Sequence, residues 1–122
     1  MIDTENAERI HRVLIDKFGG EKGIREGALE SALNRPYSTF DRKELYPASV
    51  DKAAAIIESL IKNHPFMDGN KRIGYVLMRL TLMQSGHDIV AEQNDKYNFV
   101  IRIAKGELEF KQIRSWISKR LI

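Results

Sequence analysis

The chain has 122 residues, 43% hydrophobic and 30% charged, which is the composition of one ordinary globular domain and excludes collagen, coiled-coil arrays and wholesale disorder. Its 20 Lys and Arg against 17 Asp and Glu leave a net charge of +3, spread along the sequence, so no basic tail for nucleic acid stands out. With no cysteine, no zinc-motif spacing among His11, His64 and His87, no apolar run longer than Ala53 to Ile57 and no leader-like start at Met1, the sequence predicts no disulfide, no thiolate metal site, no membrane span and a cytoplasmic location.

The chain reads as helical nearly throughout. Asp3 or Thr4 can cap a first helix over residues 4–18, in which Ala7, Ile10, Val13, Leu14 and Phe18 keep a helical spacing and Gly19-Gly20 makes the stop. A short helix over 26–34 turns Ala28, Leu29, Ala32 and Leu33 inward and ends at Pro36. Residues 35–48 form a connection of about 14 residues, long enough to suggest function, and 36–46 could form a small hairpin around Tyr37, Thr39, Leu45 and Tyr46. Ser49 can cap a third helix through Asn63, whose broad apolar face (Ala53, Ala54, Ile56, Ile57, Leu60, Ile61) marks it as central. His64 precedes Pro65, which disfavours helical geometry there and predicts a sharp break. A fourth helix follows over 71–85, with Ile73, Val76, Leu77, Leu80 and Met83 apolar and Gly86 as the C′ residue. Helices near 94–105 and 109–121 complete the chain, the last with Phe110, Ile113, Trp116, Ile117 and Leu121. The expectation is an all-α, single-domain bundle of about six helices over residues 1–122, with the break at His64 between its two central helices.

The chemistry concentrates in that break, His64-Pro65-Phe66-Met67-Asp68-Gly69-Asn70-Lys71-Arg72. Charges of both signs beside a histidine would be costly to bury unpaired, so the segment should line a cleft. Gly69 lets the backbone approach a ligand, and Asn70, Lys71 and Arg72 open a helix whose free N–H groups attract anions. Asp68 can hold Mg²⁺, which takes one or two carboxylates together with substrate phosphates. His64 is the candidate general base. Base, metal carboxylate and phosphate cradle are the parts of a phosphoryl or nucleotidyl transfer. The plain alternative is a capped turn with a structural histidine and solvated cations. No P-loop and no G-x-G-x-x-G is present.

HPFMDGNKR resembles, at every position, the signature H-[PX]-F-x-[DE]-[GA]-N-[GK]-R of the Fic/Doc superfamily. The short length, GGEKGIREGALESALNRP ahead of the motif and Gly86 at the end of the fourth helix are similar to the death-on-curing (Doc) branch, the toxins of type II toxin–antitoxin modules. The resemblance implies a compact all-α fold with the motif loop between two central helices. It implies that His64 takes the proton of a target hydroxyl, that Asp68 binds Mg²⁺, that Gly69, Asn70, Lys71 and Arg72 hold the phosphates of ATP, and that Phe66 anchors the loop. The loop at 35–48 lies where the family carries a target-positioning flap, so Tyr37, Thr39, Phe40 and Tyr46 are candidates for that contact, or else packing residues.

Two positions separate this chain from the adenylylating pattern H-P-F-x-[DE]-G-N-G-R-x-x-R: Lys71 replaces the second glycine and Tyr75 the second arginine. Both are as in the Doc branch, whose members resemble kinases that pass the γ-phosphate of ATP to translation elongation factor Tu and so inhibit translation. The self-inhibitory pattern [ST]-x-x-x-E-[GN] has no match, since Arg9 follows Thr4 and Glu8, so control by a separate antitoxin, Phd-like with a disordered tail, is implied. AMP transfer by the same site and a non-enzymatic inhibitor that binds the ribosome or RNA are the alternatives. Neither a membrane nor a specific nucleic acid is expected as partner.

Overall fold

A helix that is apolar around most of its circumference is stable only when other elements cover it, and α3 (Ser49–Asn63) is such a helix. The computed structural model describes residues 1–122, apart from the side chain of Glu26, and surrounds α3 with α2 (Glu26–Asn34), α4 (Asn70–Met83), α5 (Gln93–Ala104) and α6 (Phe110–Lys119), while α1 (Thr4–Phe18) packs on α4 and α2. The fold is all-α, with a short 3-10 turn (Arg35–Tyr37) and a hairpin of β1 (Thr39–Phe40) and β2 (Lys43–Glu44) between α2 and α3. Every residue of α3 from Ala53 to Ile61 is buried, including Glu58 and Ser59. Arg35 makes that possible: its guanidinium lies 2.7 Å from Glu58 and donates to Ser59 Oγ at 2.9 Å, and Lys62 lies 3.2 Å from the other Glu58 oxygen. Burial pulls the Arg35 pKa down, but hydrogen bonds to Tyr46 and Glu58 outweigh it and hold the group above its ordinary value.

Helices α3 and α4 approach closely through Gly74, where an added Cβ would sit 3.2 Å from Ile61 Cγ1. The far end of α4 closes on Gly86 as the sequence predicts: Gly86 N–H donates to Met83 C=O and His87 N–H to Leu82 C=O, both at 3.0 Å. The C-terminus of α5 repeats the pattern with Gly106 and Glu107 on Ile103 and Arg102. Asp3 caps α1 by accepting Asn6 N–H at 2.8 Å. Ser49 does not cap α3; it is its first residue, and the Asp51 carboxylate accepts Ala48 N–H instead. The expected apolar face of α1 is also corrected. Val13 and Phe18 are 60% and 50% exposed, and the helix buries Ala7, His11 and Ile15. Histidine goes inside because partners from the motif loop meet its ring. On α4 the buried face runs through Ile73, Gly74, Leu77, Met78, Thr81 and Leu82, leaving Met83 exposed.

Two carboxylate–arginine pairs fasten the second half of the chain. Arg79 donates twice to Asp88, at 2.9 and 2.7 Å, which ties α4 to the segment after it. Arg120 and Trp116 Nε1 both donate to Asp95, which ties α6 to α5, where Trp116 stacks on Phe99 at 3.8 Å. The Arg79 hydrogen bonds hold Asp88, and the Arg120 hydrogen bond holds Asp95, below the ordinary carboxylate pKa. The folded state therefore binds fewer protons than the unfolded chain. The pairs' contribution is complete above the unfolded chain's ordinary value of 3.8 and is lost as pH falls through the depressed folded values. Urea unfolding at stepped pH below 4 should show stability falling with acid, and the fall should be shallower in Asp88→Asn and Asp95→Asn, each less stable than the wild type at pH 7.

Candidate active site

The segment from His64 to Gly69 reverses the chain between α3 and α4, and four sets of contacts hold it. Residues 23–25 run antiparallel to it: Arg25 N–H donates to Pro65 C=O at 2.7 Å and Met67 N–H to Gly23 C=O at 2.9 Å, around a bridge between Ile24 and Phe66. Phe66 is buried and stacks on His11, with ring centroids 3.8 Å apart and planes 11° from parallel. His11 Nε2 donates to Asp68 C=O at 2.7 Å. The fourth hold comes from Asn70, which is buried: its Oδ1 accepts Phe66 N–H at 3.0 Å and its Nδ2 donates to Phe66 C=O at 2.9 Å. These bonds leave few polar groups of the loop backbone unpaired, which fixes its shape without a metal or disulfide.

Gly69 precedes α4 with φ +81°, a left-handed conformation that favours glycine, whereas an added Cβ would make only ordinary contacts, 3.4 Å to Ile15 and 3.5 Å to His11 Nε2. No side chain caps α4. Its first-turn N–H groups thus remain available to an anion, with Lys71 and Arg72 exposed beside them. The Arg72 guanidinium sits 4.5 Å from the centroid of the Phe18 ring, which accounts for that half-exposed aromatic at the end of α1. Asn70 was expected among the phosphate groups; its side chain is committed to Phe66, so only its backbone N–H stands on that surface.

His64 is exposed and has left-handed backbone geometry, φ 47° and ψ 59°. Its Nδ1 lies 3.4 Å from Asn70 Nδ2. Since Phe66 fixes which way the Asn70 amide points, Nδ1 faces a donor, and this contact is a hydrogen bond only for the tautomer with its hydrogen on Nε2. Asp68 is exposed; one carboxylate oxygen accepts Glu21 N–H at 2.8 Å, and the other makes no hydrogen bond among the described residues. No group of three or more His, Asp or Glu able to cage a metal occurs among the described residues. A lone carboxylate beside an anion site suits Mg²⁺, whose remaining ligands come from phosphates and water, and does not suit an all-protein zinc or calcium site.

The structure divides the four residues named in the 35–48 loop. Tyr46 accepts Arg35 Nε–H at 3.1 Å and packs its ring 5.3 Å from that of Phe110, while Tyr37 lies under Lys52. Both tyrosines fix the loop to the core. Thr39 and Phe40 are exposed on β1, Phe40 at 75%, with Phe40 paired to Lys43 and Thr39 to Glu44. Tyr75 lies one turn beyond Lys71, half-buried, with Lys96 5.8 Å from its ring centroid; burial raises its hydroxyl pKa.

Sequence reasoning missed His11, Arg25 and the Gly20-Glu21 step. Gly20 was read as a helix stop, yet an added Cβ there would lie 3.2 Å from Asp68 Cβ, so the small residue also lets the chain lie against the motif. No local signal could have found His11, whose bonded partner is 57 positions away.

An all-α fold with a nine-residue H-P-F-x-D-G-N-K-R segment that runs from a loop into a helix N-terminus defines a class, and the sequence pattern of the Fic/DOC family matches residues 1–82. The chain belongs to that family. It is 40% identical over 76 residues to Toxin Doc of Mycolicibacterium smegmatis (strain ATCC 700084 / mc(2)155), covering 62% of this chain and 58% of that protein. It is 33% identical over 88 residues to Protein adenylyltransferase Fic of Drosophila willistoni, covering 70% of this chain and 16% of that protein. The chain thus spans little more than half of the first relative and a small part of the second.

His11→Phe keeps an aromatic ring for Phe66 and removes the donor to Asp68. It should cost about 1–3 kcal/mol of stability in urea unfolding. Amide exchange should quicken at residues 66–69 more than within α3; uniform protection across both would show that the His11 hydrogen bond does not hold the loop.

Proposed function

We propose that this chain is the toxin of a toxin–antitoxin module, and that it transfers the γ-phosphate of ATP to a hydroxyl side chain of a protein, with translation elongation factor Tu as the expected target. The observation that carries the reading is the uncapped start of α4, flanked by exposed Lys71 and Arg72 and reached from exposed His64 across a loop pinned at both ends. His64 takes the hydroxyl proton, the hydroxyl oxygen bonds to the γ-phosphorus, and the bond from that phosphorus to its bridging oxygen breaks, releasing ADP. Lys71, Arg72 and the first-turn N–H groups hold the charge that moves onto the phosphate oxygens. Asp68 would hold Mg²⁺, which neutralises phosphate charge when bound. For Nε2 to accept the proton, the neutral His64 ring has to carry its own hydrogen on Nδ1, and the 3.4 Å contact to Asn70 is long enough to be given up.

Lys71 and Tyr75 favour γ over α transfer. In adenylylating relatives a glycine leaves room at the first position and an arginine clamps phosphate from the second; here a cation fills the first, and Tyr75 packs beside Lys96. AMP transfer is the second reading, favoured by the similarity to an enzyme named as a protein adenylyltransferase. With elongation factor Tu, Mg²⁺ and ATP labelled at either phosphorus, label should reach the factor from γ-labelled ATP alone. Label from α-labelled ATP would replace the kinase reading with adenylylation, and label from neither would remove the factor as the target. His64→Asn is the sharper knockout, because asparagine tolerates left-handed geometry better than alanine. It should slow transfer by about 10²–10⁴ with little change in melting temperature.

Similarity to Toxin Doc supports a cognate antitoxin, Phd-like with a tail that folds on binding. A groove of about 440 Å³ between α1 and the end of α4, lined by Met1, Ile2, Ile10, Leu80 and Met83, offers apolar surface for such a tail. Calorimetry with the product of the neighbouring gene should give a strongly negative heat-capacity change, diminished by Met83→Glu. Absence of binding at micromolar concentrations would count against a folding tail.

A further inference from the structure

Helix α3 ends differently from α4 and α5. Those two close on a left-handed glycine, with backbone N–H groups returning to the last carbonyls. At the end of α3 the left-handed residue is His64, and the next residue is Pro65, which has no N–H to return. Of the two backbone bonds that close each of the other helices, the one donated by the residue after the left-handed residue is thus chemically impossible here. The carbonyls of Asn63 and His64 lie beyond the reach of such a closure and need a donor of their own, and His64 needs something to hold a conformation that a residue with a Cβ seldom adopts.

Arg25 supplies the donor. Its Nη2 donates to Asn63 C=O and, at 2.9 Å, to His64 C=O; its Nε lies 3.3 Å from the same His64 oxygen. Its backbone N–H holds Pro65 C=O at 2.7 Å. One residue therefore binds three consecutive carbonyls, those of residues 63, 64 and 65. The two peptide planes on either side of the His64 Cα are both fixed from outside, which sets the direction of its Cα–Cβ bond. The cationic fork also suits the negative end of the α3 dipole.

We infer that Arg25 is a positioning residue for His64: its guanidinium holds the two carbonyls that flank the His64 Cα, at a helix end that Pro65 leaves without its full backbone closure, and so aims the imidazole at the reacting hydroxyl. This rests on the reading of His64 as the base. Arg25 itself touches neither nucleotide nor target in this role. Lysine replaces it only in part, because an ammonium lacks the fixed fork that puts both Nε and Nη2 on the His64 carbonyl.

The test uses Arg25→Met and Arg25→Lys, with wild type as reference, at a temperature well below every melting transition. In Arg25→Met the backbone and ring NMR shifts of His64 should move away from wild type while those of Ile73 and Leu77 in α4 stay. The transfer rate kcat should fall at least tenfold, with KM for ATP changed less than threefold. Arg25→Lys should shift in the same direction by less. A folded Arg25→Met with wild-type His64 shifts and wild-type kcat would overturn the inference. So would equal losses in kcat and in ATP binding, which mark general loosening. Should Arg25→Met fail to fold, Arg25→Lys carries the same comparison. The NMR arm decides the positioning even if wild type transfers no label, an outcome that would bring down the kinase reading alone.

Discussion

The site depends on one constraint: the chain turns from α3 to α4 through a proline. Pro65 has no N–H, and its ring keeps His64 out of the helical region, so the turn lacks one of the two backbone bonds that close α4 and α5. The groups that hold the turn come from elsewhere in the sequence. Arg25 binds the end of α3, the 23–25 segment pairs with 65–67, His11 holds Asp68 and Glu21 N–H holds its carboxylate. Because the loop's backbone is satisfied from behind, the side chains of His64, Asp68, Lys71 and Arg72 remain exposed to solvent and to a substrate.

The helices on either side give that loop a rigid base. Ile56, Ile57, Leu60 and Ile61 of α3 and Ile73 and Leu77 of α4 are fully or almost fully buried. Each is worth about 1.5–3 kcal/mol of apolar burial before conformational entropy is set against it. Gly74 lets the two backbones come close, which fixes how far apart Asn63 and Asn70 stand and so the span of the loop. A site carried on packed helices keeps its geometry better than one on a free loop.

Non-glycine residues with positive φ occur at Asp41, Arg42 and His64. The first two form the tip of the hairpin between β1 and β2, where the chain uses an aspartate and an arginine in a turn that favours asparagine and glycine. His64 is the proposed base, and the hairpin carries the exposed Phe40, a candidate for contact with the target. Unfavourable backbone of this kind persists where surrounding contacts hold it, and it gathers at functional sites. At His64 those contacts are visible as the Arg25 hydrogen bonds.

Sequence by itself determined the helices and the site's side chains. Capping residues, glycines and prolines act within a few positions, so α1 and α2 run over the residues that their spacing predicts, and the other four differ by one or two residues at their ends. The motif was legible for the same reason: the groups proposed to react lie side by side in the chain. What only the tertiary structure decided is which groups are used up in holding others. Asn70 reads as a phosphate ligand until its amide is seen bonded to Phe66, and Tyr37 and Tyr46 read as either target contacts or packing residues until they are seen packed against Lys52, Arg35 and Phe110. The buried face of α1 could not be read from hydropathy, because burying His11 in preference to Val13 depends on a carbonyl and an aromatic ring supplied more than fifty residues later. A polar residue's burial is settled by its hydrogen-bond partner, and that partner is a property of the fold.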